Sequence, residues 1–300
     1  MSNVKIWISA FRLRTLPLAF SSIITGAAIA NADGAFNGVV FGLAITTTLL
    51  LQVLSNLAND YGDFVKGTDN AERVGPERAV QSGEITAPQM KKAIILFSGL
   101  SLITGVTLIF YALSDIGFLG PLMFILIGLA SITAAIKYTA GKGAYGYKGL
   151  GDLFVFVFFG LVGVLGTYFL FLKEFELSAL LPAMSIGFFS AAVLNLNNMR
   201  DWENDGKSGK NTLVVKIGLP KAKRYHIAIL SIGMLTSIFY VVQNDFKLIN
   251  LIFILSFIPF LIHIRKVLKV KEARGFDPEL KKVALSTFLF SILFWISQMS

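Results

Sequence analysis

Long apolar runs separated by shorter polar ones recur along the whole 300-residue chain. A helix that crosses a bilayer needs about 20 mostly apolar residues. Nine runs meet that description: Leu16–Ala32, Val39–Ala58, Ala93–Leu113, Ile116–Ile136, Leu153–Leu172, Leu177–Leu196, Tyr225–Val242, Leu248–Ile264 and Val283–Met299. The last three are short and fit a tilted or partly interfacial placement. The pattern predicts an all-α polytopic membrane protein of nine transmembrane helices, one domain over residues 1–300. The amphipathic Lys5–Arg14 segment leads straight into a full span, so the opening stretch is not expected to be a cleavable signal.

Composition agrees and narrows the chemistry. Apolar residues make up 55% of the chain and charged residues 15%, with a mean hydropathy of +0.70. A water-facing surface needs roughly 25% charged residues. The absence of Cys excludes disulfide scaffolds, zinc ribbons and thiol nucleophiles, and two His exclude a multi-histidine metal site.

The net charge of +9 could signal nucleic acid or cytoplasmic loops. Its distribution decides. Of the 27 Lys and Arg, 25 fall before the first span or in the connections after the second, fourth, sixth and eighth. Only Lys173 and Lys247 lie in the others. The positive-inside rule then puts the N-terminus and the long even-numbered connections in the cytoplasm. No nucleic-acid partner is expected.

Two of those connections, Asn59–Lys92 and Asn197–Arg224, are long and carry acids and amides as well as bases. At the end of the second span, Asn56, Asp60 and Asp63 share one helical stripe; at the end of the sixth, Asn197, Asp201 and Asp205 do so. Asn56/Asp60/Lys66 and Asn197/Asp201/Lys207 line up at one offset, a hint of an internal repeat. Stacked acids repel each other, by ~0.2–0.5 kcal/mol per exposed pair, and by more beside hydrocarbon. A cation reverses the sign. Oxygen ligands without His or Cys suit Mg²⁺, which shares itself between carboxylates and substrate phosphates. The pattern therefore describes a Mg²⁺-diphosphate site, with Lys66, Arg73, Arg78, Lys142, Lys207 and Lys210 available to neutralise phosphate. A lone Asp at a helix end is ordinarily a cap; two Asn-x₃-Asp stripes in matching places argue for function.

Gly141-Lys-Gly143-Ala-Tyr-Gly146 fits G-x-G-x-x-G but follows a membrane helix and has no βαβ context, so the dinucleotide reading fails. Tyr138–Asp152 reads instead as a flexible lid or a plain Gly-rich connector. His226 and His263, at helix edges near basic residues, are expected to be interfacial. The 27 Phe are expected mainly to face lipid or pack helices, a few lining an apolar cavity.

At these residues the sequence resembles the UbiA-type superfamily of intramembrane aromatic prenyltransferases, over essentially the full chain. The matching acids are Asn59-Asp60-x₂-Asp63 and Asp201-x₃-Asp205. The commonest form of the first motif places a last Asp where Gly67 stands here, with Asp69 the natural substitute. Arg14-Thr-Leu-Pro-Leu-Ala-Phe20, Leu57–Asp63 with Lys66-Gly-Thr-Asp69, Gly75-Pro-x-Arg78-x-Val-Gln-Ser-Gly83, Tyr145-Gly-Tyr-x-Gly-Leu-Gly-Asp152, and Asn197-Asn-x-Arg-Asp201 with Gly209-Lys-Asn-Thr-Leu213 are similar to the 1,4-dihydroxy-2-naphthoate (MenA-type) branch.

The resemblance implies transfer of a polyprenyl chain from an allylic diphosphate to dihydroxynaphthoate with loss of CO₂, in menaquinone synthesis, at a prokaryotic inner membrane with the site facing the cytoplasm. It implies Mg²⁺ on Asp60, Asp63, Asp69, Asp201 and Asp205, helped by Asn56 and Asn197, with Asn59 and Arg200 among the residues that bind the substrate. Tyr138 or Tyr147 is expected to stabilise an allylic cation, and Arg78 or Lys142 to bind the acceptor carboxylate. The alternatives are another acceptor such as 4-hydroxybenzoate, a transporter, or a CDP-alcohol-type lipid transferase. A transporter would place charge near the bilayer midplane, and the lipid transferase would cluster its acids on neighbouring spans.

Overall fold

The computed structural model describes residues 3–244 and 247–299. Among these, nine helices are long and apolar enough to cross a membrane, and there is no strand. A short helix, Asn3–Phe11, precedes the first of them. The nine are α1 (Leu16–Ala32), α2 (Gly38–Val65), α3 (Ala87–Leu113), α4 (Leu119–Lys137), α5 (Gly151–Leu172), α6 (Leu180–Lys207), α7 (Leu219–Gln243), α8 (Leu248–Lys269) and α9 (Asp277–Ser297).

Several helices outrun the apolar stretches that announce them. Hydropathy registers only the part facing hydrocarbon, whereas the hydrogen-bond ladder continues into polar sequence until a cap stops it. α2 therefore extends past Ala58 to Val65, and α6 past Leu196 to Lys207. Both acid stripes are thus the last turns of rigid helices rather than loop residues. α3 starts earlier than its apolar run, at a capping box in which Thr86 and Gln89 each bond the other's backbone N–H.

α6 is the centre of the bundle and packs along α5, α7 and α9. One apolar cluster surrounds it, including Ile186, Phe189, Phe260, Phe290 and Phe294. A smaller cluster joins α2 and α3 to their connection through Leu54, Leu57, Val80, Ile85 and Met90. Apolar attraction between helices vanishes in lipid, so close backbone approach at small residues must hold spans together. A Cβ on Gly26 of α1 would stand 2.5 Å from the Val164 carbonyl oxygen of α5, and one on Gly160 of α5 would stand 2.6 Å from that of Ala183 in α6. Both contacts fall within a π-helical stretch of α5, Phe156–Leu165, a form that recurs at functional sites.

The acid-bearing helices α2 and α6 share no extended packing. A cavity of about 550 Å³ lies beside α2, walled by α1, α2, α3, α4 and α5.

Candidate active site

The polar ends of α2 and α6 come together through the residues that follow them. Asn204 Nδ2 donates to the Thr68 carbonyl oxygen at 2.9 Å, and Glu72 pairs with Lys207. Gly75 lies against the Arg200 guanidinium so closely that a Cβ there would meet Nη2 at 2.6 Å. Both stripes therefore belong to one polar cluster.

Asp63 is its hub. One carboxylate oxygen accepts from Arg78 Nη1 at 2.8 Å and faces Lys210 Nζ at 3.3 Å; the other accepts from the Tyr147 hydroxyl at 2.7 Å. Arg78 reaches Asp69 at 2.9 Å and the Asn59 carbonyl oxygen at 2.7 Å as well, and Arg73 Nε completes the hold on Asp69 at 3.0 Å. Burial works against the charge on Arg78, yet Asp63, Asp69 and Asp60 keep its guanidinium more firmly protonated than usual. Lys210 balances in the same way: burial opposes its charge, and Asp63 and Asp205 more than compensate. Lys210 also approaches Asp205, at 3.8 Å. Burial, reinforced by Asp63, raises the Tyr147 phenol, so it stays a neutral donor. Lys66 Nζ sits 3.8 Å over the same ring, within cation–π range.

In the second stripe Arg200 clasps Asp201 with Nε at 3.0 Å and Nη2 at 2.7 Å. Nη2 also donates to Asn197 Oδ1 at 2.8 Å, and Nη1 to Asp277 at the start of α9. This bidentate pairing fixes the carboxylate plane as well as its charge.

Tyr138 and Asn59 line the polar end of the cavity, where Thr139 Oγ1 donates to Asn59 Oδ1 at 3.2 Å. Burial raises the Tyr138 phenol strongly, so it too remains neutral. Asn56 is turned away, donating to the Phe11 carbonyl oxygen at 2.9 Å and anchoring the N-terminal segment.

Of the residues expected at the site, the structure brings together Asp60, Asp63, Asp69, Asp201, Asp205, Asn59, Lys66, Arg73, Arg78, Tyr138, Tyr147, Asn197, Arg200 and Lys210. It leaves three outside: Asn56, turned toward the N-terminal segment, and two lysines at the periphery. Lys207 is exposed on Glu72, and Lys142 is exposed beside a separate surface pocket of about 380 Å³ that Lys66 also lines. Asn204, Thr68 and Asp277 complete the cluster without having been singled out. Asn204 had a signal, since it continues the Asn197 stripe at i+7; Asp277, on the last helix, had none.

The segment Tyr138–Asp152 is partly ordered onto the cluster through Tyr147. Gly141, Gly143 and Gly149 take positive φ, and Gly146 abuts the Tyr138 carbonyl, where a Cβ would stand at 2.6 Å. Replacing Tyr147 by Phe removes one charge-assisted hydrogen bond, worth about 1.5–3 kcal/mol. Turnover is expected to fall roughly 10- to 100-fold with the fold intact; a rate equal to the parent's, measured with saturating substrates, would remove Tyr147 from the site.

The donor set fits a hard divalent cation. Every candidate ligand is oxygen, and Asp60 Oδ2 and Asn204 Oδ1 are buried with no hydrogen-bond partner among the described residues, a cost in low dielectric that a cation would relieve. No three acidic or His side chains close around one point among the described residues; Asp63, Asp69, Asp201 and Asp205 are held by basic side chains.

The histidines correct an expectation. They are fully buried, not interfacial. His226 Nε2 and His263 Nε2 are 2.7 Å apart, His263 Nδ1 is 2.6 Å from Glu279, and Lys266 and Lys282 reach Glu279 from outside at 3.0 and 2.9 Å. The row ties α7, α8 and α9 together at the end where the acid cluster lies. Sequence distance hid it, because Glu279 lies on a different helix from either histidine.

The chain matches the UbiA prenyltransferase family over residues 19–292. It is 42% identical over 295 residues to the 1,4-dihydroxy-2-naphthoate octaprenyltransferase of Haemophilus influenzae, covering 97% of this chain and 95% of that one. It is equally similar, 42% over 290 residues, to the Escherichia coli enzyme of the same name, covering 96% and 90%. Among solved structures, a UbiA homologue from Archaeoglobus fulgidus bound to GPP and Mg²⁺ superposes with a TM-score of 0.63 at 17% identity, over 95% of this chain and 99% of that one. With the helical order, the paired acid stripes and these matches agreeing, this chain belongs to the UbiA prenyltransferase family.

Proposed function

We propose that the protein transfers a polyprenyl group from an allylic diphosphate to 1,4-dihydroxy-2-naphthoate, with loss of CO₂, in menaquinone biosynthesis. The observation that carries this reading is the buried acid and base cluster of Asp60, Asp63, Asp201 and Asp205 with Arg78 and Lys210, standing at the polar mouth of an apolar cavity. The relatives' names supply the acceptor.

Each side chain then has a definite task. Asp60, Asp63, Asp201 and Asp205, with the amide oxygens of Asn197 and Asn204, would hold Mg²⁺. When bound, the ion offsets charge on the departing diphosphate. Arg78 and Lys210 are kept protonated by their acidic neighbours, and Lys66 lies close by; these supply the remaining positive charge where the diphosphate oxygens would rest. As the allylic C–O bond breaks, its electron pair leaves with diphosphate. The ring carbon bearing the carboxylate forms the new C–C bond, and CO₂ departs, returning its pair to the ring. Tyr138, neutral and at the cavity mouth, offers a π-face to the cation. The apolar walls exclude the water that would quench it.

The bias of Lys and Arg supports a cytoplasmic placement of the N-terminus and of this mouth, in a bacterial inner membrane. Cluster and mouth lie together at that end, which argues against a midplane transport site.

Membranes containing the protein, supplied with Mg²⁺, labelled octaprenyl diphosphate and either the naphthoate or 4-hydroxybenzoate, are expected to yield a decarboxylated prenyl naphthalenediol and no prenyl benzoate, read by mass spectrometry. EDTA should abolish the product and excess Mg²⁺ restore it. Product from the benzoate alone would overturn the acceptor, and full activity in EDTA would overturn the metal.

A further inference from the structure

Arg200 stands between two carboxylates, and only one of them belongs to the acid stripes. It engages both oxygens of Asp201, Nε with Oδ1 at 3.0 Å and Nη2 with Oδ2 at 2.7 Å, and Nη2 also serves Asn197. Nη1 has a single partner among the described residues, Asp277 Oδ1 at 2.5 Å. Gly75 closes the space at Nη2, where a Cβ would stand at 2.6 Å. The guanidinium is thus enclosed, and Asp277 is what holds its free corner.

Asp277 is delivered by a fixed mount. A short turn, Ala273–Phe276, leads into α9, and Phe276 is buried in the apolar cluster around α6. Lys223 of α7 lies 5.8 Å over the Phe276 ring and donates to the Val270 carbonyl oxygen at 2.5 Å. Two residues beyond Asp277, Glu279 is fully buried against His263. The neighbours of Asp277 are therefore anchored in the core, while its own side chain remains 47% exposed. An acid in a first turn ordinarily offsets the helix dipole. That task needs no guanidinium from another span.

This geometry bears on the metal. A carboxylate offers about four lone-pair sites, and Arg200 takes one on each oxygen of Asp201. The sites left for a cation point where the plane of the guanidinium sets them. Arg200 and a divalent cation also compete for the same negative charge. A second carboxylate on Arg200 draws part of its charge away, which leaves Asp201 the better ligand.

Resting on the functional reading above, we propose that Asp277 is a positioning residue for the metal: through Arg200 it fixes the plane of Asp201 and keeps its charge available to Mg²⁺. Outer-shell partners of this kind change metal affinity by about 10- to 100-fold.

The test compares the parent chain with Asp277→Asn, Asp277→Glu and Glu203→Gln by two Mg²⁺ titrations. One follows naphthoate prenylation in membranes. The other follows the unfolding temperature of the detergent-solubilised protein in inorganic diphosphate, since a bound ion raises it. Asp277→Asn keeps the size and loses the charge, so both Mg²⁺ midpoints should rise about 10- to 100-fold, with turnover largely restored at saturating Mg²⁺. Asp277→Glu keeps the charge and should recover most of the affinity. Glu203 is exposed two positions from Asp201 and makes no bond to Arg200; its neutralisation should leave both midpoints near the parent's. Parent midpoints in Asp277→Asn, or an equal shift in Glu203→Gln, would overturn the role, and so would a loss of turnover alone. No naphthoate product from the parent chain, with the unfolding titration still shifted by Asp277→Asn, would overturn the acceptor and leave the role standing. Full parent activity in EDTA would overturn the metal and the role together.

Discussion

Asp63→Asn should lower turnover by about 10²–10³-fold at saturating substrate, the loss typical of removing one preorganised electrostatic contact, while leaving the protein folded and membrane-bound. The side chain keeps its size but loses its charge. Arg78, Lys210 and Tyr147 all aim at this one carboxylate, and an amide nitrogen in its place would face donors with another donor. Arg78 retains Asp69 and Lys210 retains Asp205, so the fold has other counter-charges. Activity near the parent level in the mass-spectrometric assay would show that the hub of the cluster is not the centre of the chemistry.

Glu279→Ala should instead strike stability, by about 3–5 kcal/mol, because removing one member of a buried ionic set strands the others. Glu279 is fully buried and receives His263, Lys266 and Lys282. Without it the histidine pair loses the acceptor that orients it, and two ammonium groups lose their counter-charge. Chemical unfolding of the detergent-solubilised protein measures the effect; an unchanged midpoint would contradict it. Replacing His226, His263 and Glu279 together with apolar residues of similar volume should be much milder than Glu279→Ala alone, since an intact hydrophobic replacement strands no charge.

Helix number was legible because each span writes its own signal locally, as an apolar run of fixed length. The acid stripes were legible for the same reason: Asn56, Asp60 and Asp63 are neighbours on one helix face, and periodicity displays them. Contacts between helices distant in sequence write no such signal. The grip of Arg200 on Asp277 and the meeting of His226 with Glu279 by way of His263 depend on how α6 to α9 pack, and packing between spans leaves little trace in hydropathy. Lys142 and Lys207 show the converse. Nearness to a motif in sequence does not by itself bury a side chain in it, and both stand in solvent on the rim.

The acid-bearing helices are joined through the segments that follow them: Thr68 on Asn204, Gly75 on Arg200, Glu72 on Lys207 and Lys210 on Asp63. Loops usually tolerate added length, since each doubling costs only about 0.6 kcal/mol of closure entropy. Here the loop acts as a spacer gauge. Residues 66–86 set the gap across which two rows of carboxylates face one another, so their length is a dimension of the site. The chain has built a measuring part from the kind of segment that most proteins leave free to vary.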